Sequence, residues 1–263
     1  MLLSRIFNKM QHELRMRFEY FDSEEKLIKD AQEYWNEESL VKDASHWRGG
    51  LGVFKNEMNW LKLGKEHLNL VQAYATQSDL IFPVEKIVEW GCGGGANAVH
   101  FSPLTKQYIG IDINSENLLE CGRQMVAMGL DNFQPILIEV QNPEAALIAE
   151  TMMADIFICT YVYELLPSPN YGLRILKLAN QMLKENGTGL IQIRYNDPSR
   201  KNASRKWGYK INPYHMTTYS LEEFWNYSIA FGFEPLGIYL LPKQELVNDE
   251  RYAYYILKKS TPM

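Results

Sequence analysis

Residues 87–97 read IVEWGCGGGAN. An apolar run enters Gly91-Cys92-Gly93-Gly94-Gly95 and leaves into a helical pattern. Glycines at a strand-to-helix turn allow positive backbone dihedrals and let a ligand approach the main chain where a side chain would clash. The free N–H groups of the following helix add a partial positive charge. Asp112 ends the next apolar run, 21 residues after Gly91. An acid there can accept both hydroxyls of a ribose. Each feature has a plainer reading: a glycine turn with no ligand, and an aspartate capping the next helix. Asn114 and Ser115 are equally placed to do that capping. Strand, glycine turn, helix, strand and terminal carboxylate together point to an adenosine-containing ligand. Gly91, Gly93 and Ala96 also satisfy G-x-G-x-x-A, so this pattern alone leaves a nicotinamide or flavin nucleotide open. Glu89, two residues before the first glycine, makes the loop entrance acidic, and a carboxylate there suits a cation better than a pyrophosphate.

The elements that must hold these residues follow from periodicity. The first 80 residues read as helical: EEKLIKDAQEYWNE carries an apolar stripe at helical spacing, and residues 57–75 place Trp60, Leu63, His67 and Val71 on one face. Trp60 and His67 read first as packing residues. From residue 84 short apolar runs alternate with helices: strands at 85–90, 107–113, 133–140, 154–162 and 188–195, then two closing strands, EPLGIYLL and RYAYYILKK. Ser220 with Glu223 three residues on is a capping-box pattern for the last helix. Near-continuously apolar strands alternating with helices indicate a parallel sheet covered on both faces. The polar segment between the closing strands is too short for a parallel crossover, so the last strand is expected to be antiparallel. That ending differs from the second half of a dinucleotide-binding fold.

Composition narrows the class. The chain has 263 residues, 46% hydrophobic, with 27 basic and 32 acidic residues for a net charge of -5. This argues against a wholly disordered chain and against a general nucleic-acid binder, while leaving a local basic patch open. Cys92, Cys121 and Cys159 form neither a disulfide framework nor a zinc-spaced set. The opening MLLSRIFNKMQHELRMRFEY meets charge too early for a signal peptide, and no apolar run is long enough to span a membrane. A reduced, cytoplasmic protein, monomeric or a homodimer, is expected.

Among adenosine ligands, the acidic entrance at Glu89, the paired closing strands and the aromatic-acidic turn CTYVYELLP after the fourth strand favour S-adenosylmethionine. The stretches EWGCGGG (89–95), GID (110–112) and ADIFICTYVYELLP (154–167) resemble the class I S-adenosylmethionine-dependent methyltransferases over roughly residues 80–260. The resemblance implies a Rossmann-like seven-stranded mixed sheet with helices on both faces and an antiparallel last strand. Here that becomes an N-terminal helical cap over 1–80 and a cofactor-binding domain over 81–263. It implies that the loop Gly91, Cys92, Gly93 and Gly95 holds the methionine part, that Asp112 holds the ribose and that Ile113 flanks the adenine. Thr160 and Tyr161 would line the methyl donor, with Tyr163 and Glu164 close by. The sequence departs from the family where a Gly-Asp pair commonly follows the third strand. EVQNPEAAL stands there instead, leaving Gln141 and Asn142 as adenine candidates.

The sheet offers no lid of its own, so two other segments are expected to cover the cleft. In SHWRGG, Arg48 can pair with the methionine carboxylate and Trp47 can cover the adenosine or the sulfonium. Residues 195–219 read as a long loop, expected to be a substrate lid, in which Arg200, Lys201, Arg205, Lys206 and Lys210 interleave with Trp207, Tyr209, Tyr214 and His215. Methyl transfer needs an aligned acceptor, excluded water and a route for one proton when the acceptor is a hydroxyl or protonated amine. His215 is the first candidate base, with Glu164 and Tyr195 as alternatives. Arg194, at the end of the fifth strand, can take an anionic substrate group, and Tyr163, Trp207, Tyr209 and Tyr214 supply rings. No metal-ligand clustering is present, so no metal site is expected. The reading is a small-molecule O- or N-methyltransferase. Its rivals are a methyltransferase acting on RNA or protein, a nicotinamide-dependent oxidoreductase, and a non-catalytic cofactor-binding partner subunit. The closing-strand tyrosines, Tyr252, Tyr254 and Tyr255, are expected to be structural.

Overall fold

The computed structural model describes residues 21–36, 57–196, 203–241 and 251–261. Thirteen helices and strands of the described residues are labelled here in chain order. The helices are α1 (Glu24–Trp35), α2 (Glu57–Ala73), α3 (Ala98–Phe101), α4 (Ser115–Ala127), α5 (Pro169–Met182) and α6 (Leu221–Ala230). The strands are β1 (Val84–Trp90), β2 (Thr105–Asp112), β3 (Phe133–Leu137), β4 (Ala154–Cys159), β5 (Leu183–Arg194), β6 (Phe233–Leu240) and β7 (Tyr252–Lys259). They form one seven-stranded sheet of order β3-β2-β1-β4-β5-β7-β6. The β1–β2, β1–β4, β2–β3 and β4–β5 pairs are parallel, and β7 is antiparallel to both β5 and β6. The expected fold and its antiparallel ending are both present.

The central strands are apolar on both faces because both are covered. In β4 every residue is buried. Ile156 and Ile158 enter one core with Leu68 and Val71 of α2 and Leu118 and Cys121 of α4. Phe157 and Cys159 enter the other with Leu27 and Ala31 of α1 and Ile175 and Leu176 of α5. Each such fully buried aliphatic or aromatic side chain contributes about 1.5–3 kcal/mol. The helix signals behave as local chemistry requires. Ser23 caps α1, accepting from the Lys26 N–H at 3.2 Å. Asn114 caps α4. Ser220 and Glu223 form the reciprocal capping box of α6.

Two elements are shorter than their sequence patterns. The helix after the glycine loop lasts only from Ala98 to Phe101, because Pro103 follows and the chain tightens into a single 3₁₀ turn before β2. Pairing of the third strand stops at Leu137. The Ile138 N–H then donates to the Asp112 carbonyl, and the Val140 N–H donates to Gln32 Oε1 of α1. In α2, the glycine at position 64 has a packing reason. A Cβ there would lie 1.8 Å from the Ala96 carbonyl oxygen, so the backbone of α2 rests on the exit of the glycine loop.

Candidate active site

Strand order reverses around β1, which has β2 on one side and β4 on the other. In open sheets of this kind the crevice beyond the carboxyl ends at the reversal is where ligands bind. A cavity of about 500 Å³ lies there. It is bounded by the loop after β1, Asp112 at the end of β2, Thr160 and Tyr161 after β4, and Arg194 at the end of β5. Its volume lies within the range of small-molecule sites.

The glycine loop is built for close approach. Gly91, Gly93 and Gly95 all have positive φ, at 71°, 50° and 93°. A Cβ on Gly91 would meet the Val162 side chain at 2.4 Å, so the turn can carry no side chain at that point. Gly91, Cys92, Gly93, Gly94 and Ala96 line the cavity, while Gly95 faces Cys121. Asp112 is oriented from both sides: one carboxylate oxygen accepts from the Gly93 N–H at 3.0 Å and the other from the Asn114 N–H at 2.9 Å. Burial raises its pKa, and these backbone bonds oppose the rise. Asn114, not Asp112, caps α4.

Glu89 lies under the loop, and its two oxygens accept from Asn97 Nδ2 at 2.6 Å and from the Tyr108 hydroxyl at 2.5 Å. Burial pushes its carboxyl up to about 8; the two hydrogen bonds oppose the rise and the charge of Asp112 adds to it. Asn97 also donates to Thr160 Oγ1 at 3.1 Å, and its own oxygen faces His67 Nδ1 at 2.7 Å. Burial pushes His67 down to about 4, so the ring is neutral near pH 7.

At the turn after β4, Tyr161 has φ 58°, left-handed backbone that a non-glycine residue rarely adopts. Its N–H donates to the side chain of Gln192 on β5, which holds that turn. Glu164 is buried and accepts from the Tyr252 hydroxyl at 3.2 Å. The Glu164 carbonyl takes the Met216 and Thr217 N–H groups at 3.1 and 3.4 Å, docking the turn that carries Tyr214 and His215 against the cavity. The Arg194 guanidinium lies 5.9 Å from the centroid of the Tyr252 ring.

Most of the residues singled out from sequence meet at this cavity: Glu89, Gly91, Cys92, Gly93, Asp112, Ile113, Thr160, Tyr161, Glu164, Arg194, Tyr209, Tyr214 and His215 all line it. Others lie elsewhere. Tyr163 is buried in the core beneath, with its hydroxyl donating to the Gly172 carbonyl at 3.2 Å. Trp207 is buried under the Arg205 guanidinium, 3.9 Å from its ring centroid. Tyr195 is half-buried and bridges to Tyr219. Gln141 and Asn142 are exposed. The early end of β3 turns Ile138 and Val140 inward instead, and these two line the cavity. Trp47, Arg48, Arg200 and Lys201 lie outside the described residues.

Besides Ile138 and Val140, sequence reasoning missed five contributors. Trp35 and Ala31 of α1 line the cavity beside Ile138 and Val140. The indole N–H of Trp35 donates to the Tyr209 hydroxyl at 2.8 Å, and Asn114 Nδ2 donates to the Trp35 carbonyl at 2.7 Å. His67 and Tyr252, expected as packing and structural residues, also line it. Asn97, the fifth, was findable, since only Ala96 separates it from the glycine run. The others carry no local signal.

Comparison with known proteins gives a consistent picture. No curated protein sequence matches the chain. Among solved structures, it is similar to an S-adenosylmethionine-dependent methyltransferase from Clostridium acetobutylicum, with TM-score 0.57 and 14% identity over 78% of this chain and 93% of that one. It is similar to the YcgJ protein of Bacillus subtilis, with TM-score 0.55 and 14% identity over 76% and 100%. It is also similar to the N-methyltransferase NodS of Bradyrhizobium japonicum, with TM-score 0.53 and 12% identity over 75% and 96%. These likenesses establish the fold. The family described as "Methyltransferase domain" matches residues 63–237, from within α2 into β6, taking in the glycine loop, Asp112 and the turn after β4. The match takes in well over half of the sequence, and the chain belongs to this methyltransferase family.

Proposed function

We propose that the protein transfers the methyl group of S-adenosylmethionine to an oxygen or nitrogen atom of a small molecule held in the same cavity. The observation that carries this reading is the continuity of one cavity of about 500 Å³, from the glycine loop and Asp112 to an end walled by His67, Tyr161 and Tyr252. A space of that size, shared by cofactor and acceptor, suits a small acceptor. The residues fit the cofactor. The Gly91–Gly95 turn has backbone where a Cβ would clash, Asp112 is held for a ribose, and Glu89 gives the methionine end an acidic neighbour. Ile113, Ile138, Val140 and Trp35 offer an apolar slot for a flat base.

The bound cofactor supplies a methyl group on a positively charged sulfur. The chain's own residues align the acceptor, keep water out through the covering α1 helix, and receive the acceptor's proton. His215 and Glu164 are the groups on the cavity wall suited to that last task, and Arg194 can hold an anionic part of the acceptor. The three cysteines are buried and unbridged, which fits a reducing cytoplasm. No helix among the described residues is long and apolar enough to cross a membrane.

Two measurements test the proposal. Asp112→Ala should weaken S-adenosylmethionine binding by about tenfold or more in calorimetry, the loss of a charge-assisted pair of hydrogen bonds. A turnover screen with methyl-labelled cofactor should place label in a small-molecule pool. Label entering only RNA or protein would overturn the choice of acceptor.

A further inference from the structure

Behind the cavity wall, a chain of hydrogen bonds joins the cofactor side to the acceptor side. Tyr108 and Asn97 each donate to one oxygen of Glu89. Asn97 has spent its N–H groups on Glu89 and Thr160, so its amide oxygen is the atom 2.7 Å from His67 Nδ1. An amide oxygen only accepts, so His67 carries its proton on Nδ1 and Nε2 offers a lone pair. The Tyr254 hydroxyl, 3.4 Å from Nε2, therefore donates to it. A phenol has one proton. At the 3.1 Å contact between the Tyr254 and Tyr161 hydroxyls, Tyr254 must then accept and Tyr161 must donate. Every proton in the row points towards Glu89. The Tyr161 hydroxyl, on a backbone held in strain and in a ring that lines the cavity, can act towards a ligand only as a hydrogen-bond acceptor.

We propose that Asn97, His67 and Tyr254 are positioning residues that fix the polarity of the Tyr161 hydroxyl, so that the acceptor subsite takes molecules presenting an O–H or N–H donor, such as a phenol, an alcohol or a neutral amine. This rests on the methyltransferase reading of the same cavity. The rings around the hydroxyl suit a flat acceptor: Tyr252 stands edge-on to Tyr161 at 5.2 Å and His67 lies at 5.9 Å. The neutrality of His67 agrees with the assigned tautomer. A carboxylate, a thioether or an ether would bring lone pair against lone pair, which a dry site penalises.

The test compares phenol with anisole, two rings that differ in one donor. The full chain is loaded with S-adenosylhomocysteine, and loading is checked by calorimetry. Phenol should bind about fivefold or more tighter than anisole. Tyr254→Phe frees the Tyr161 proton, so the ratio should fall to within about twofold while S-adenosylhomocysteine affinity holds. His67→Phe should do the same. His67→Gln, whose amide can donate to Asn97 and accept from Tyr254, should restore the preference; a merely structural role would not give this rescue, and the two His67 variants also serve if Tyr254→Phe does not fold. Equal affinities in the unaltered chain, absence of phenol binding to the loaded chain, or a ratio that survives both Tyr254→Phe and His67→Phe would overturn the proposal. Failure of the unaltered chain to bind S-adenosylhomocysteine would instead overturn the reading on which it rests.

Discussion

Glu89 places a buried carboxyl on the wall of the cavity proposed to take a cationic cofactor. Its pKa of about 8 leaves it mostly protonated at neutral pH. Around it lie Tyr108 and Asn97, which favour the charged form, and Asp112, which disfavours it; its charge is in turn felt by Cys92 and Cys121. A cation bound beside it favours the carboxylate, so binding expels a proton. Affinity for S-adenosylmethionine should therefore rise with pH from about 6 to about 8 and level off above. Calorimetry in buffers of different ionisation enthalpy should detect the released proton. Glu89→Gln should remove both the slope and the release, and a flat profile in the unaltered chain would exclude this role. The same raised pKa works against folding: the folded state holds a proton that the unfolded chain loses near pH 4.5. The contribution of Glu89 to stability is thus greatest below that pH and declines as pH rises towards 8.

Helix α2 meets the glycine loop backbone to backbone. Gly64 would otherwise put a Cβ 1.8 Å from the Ala96 carbonyl oxygen, and His100 Nε2 lies 2.7 Å from the Leu61 carbonyl of the same helix. In an isolated helix Gly→Ala gains about 0.8–1 kcal/mol. Here overpacking, at about 1–3 kcal/mol, should outweigh that gain. Gly64→Ala should lower the melting temperature and weaken cofactor binding together, measured by calorimetry; a stabilised variant with unchanged affinity would show that the two backbones are not coupled. This contact also shows where sequence reasoning stopped. Strand β1, the glycine turn and Asp112 were legible because each needs residues of one kind at one spacing, and Ser220 with Glu223 was legible because a capping box is local. His67 was not, since a histidine on the apolar stripe of a helix looks the same whether that stripe meets core or cavity. The polar pair Gln141 and Asn142 suggested adenine contacts. The end of β3 at Leu137, set by pairing and by the Gln32 tether, gave the inward positions to Ile138 and Val140. Tyr252 read as sheet packing because alternation tells which face a residue takes and not what lies against that face.

At the scale of the whole molecule, the cavity draws on both ends of the described chain and on both cores. Trp35 comes from α1, His67 from α2 and Tyr252 from β7. A ligand that bridges them should stabilise the fold as one unit. At one hundred times its dissociation constant, S-adenosylmethionine should add about 2.7 kcal/mol and raise the melting temperature by about 5–10 °C. Differential scanning fluorimetry reads this directly, and two separate transitions, only one of them responding to the cofactor, would contradict a single cooperative body. The position of β7 has a further consequence. The strand latest in the sequence occupies an interior place in the sheet, between β5 and β6. During synthesis on the ribosome, the first five strands can pair as they emerge, while β5 and β6 wait with open edges. The wall that Tyr252 brings, with Tyr254 behind it, then reaches the cavity after β1 to β6 have emerged. A nascent chain would therefore form the glycine loop and the Asp112 end of the cavity well before the Tyr252 wall, and the cavity would be complete only once β7 has emerged.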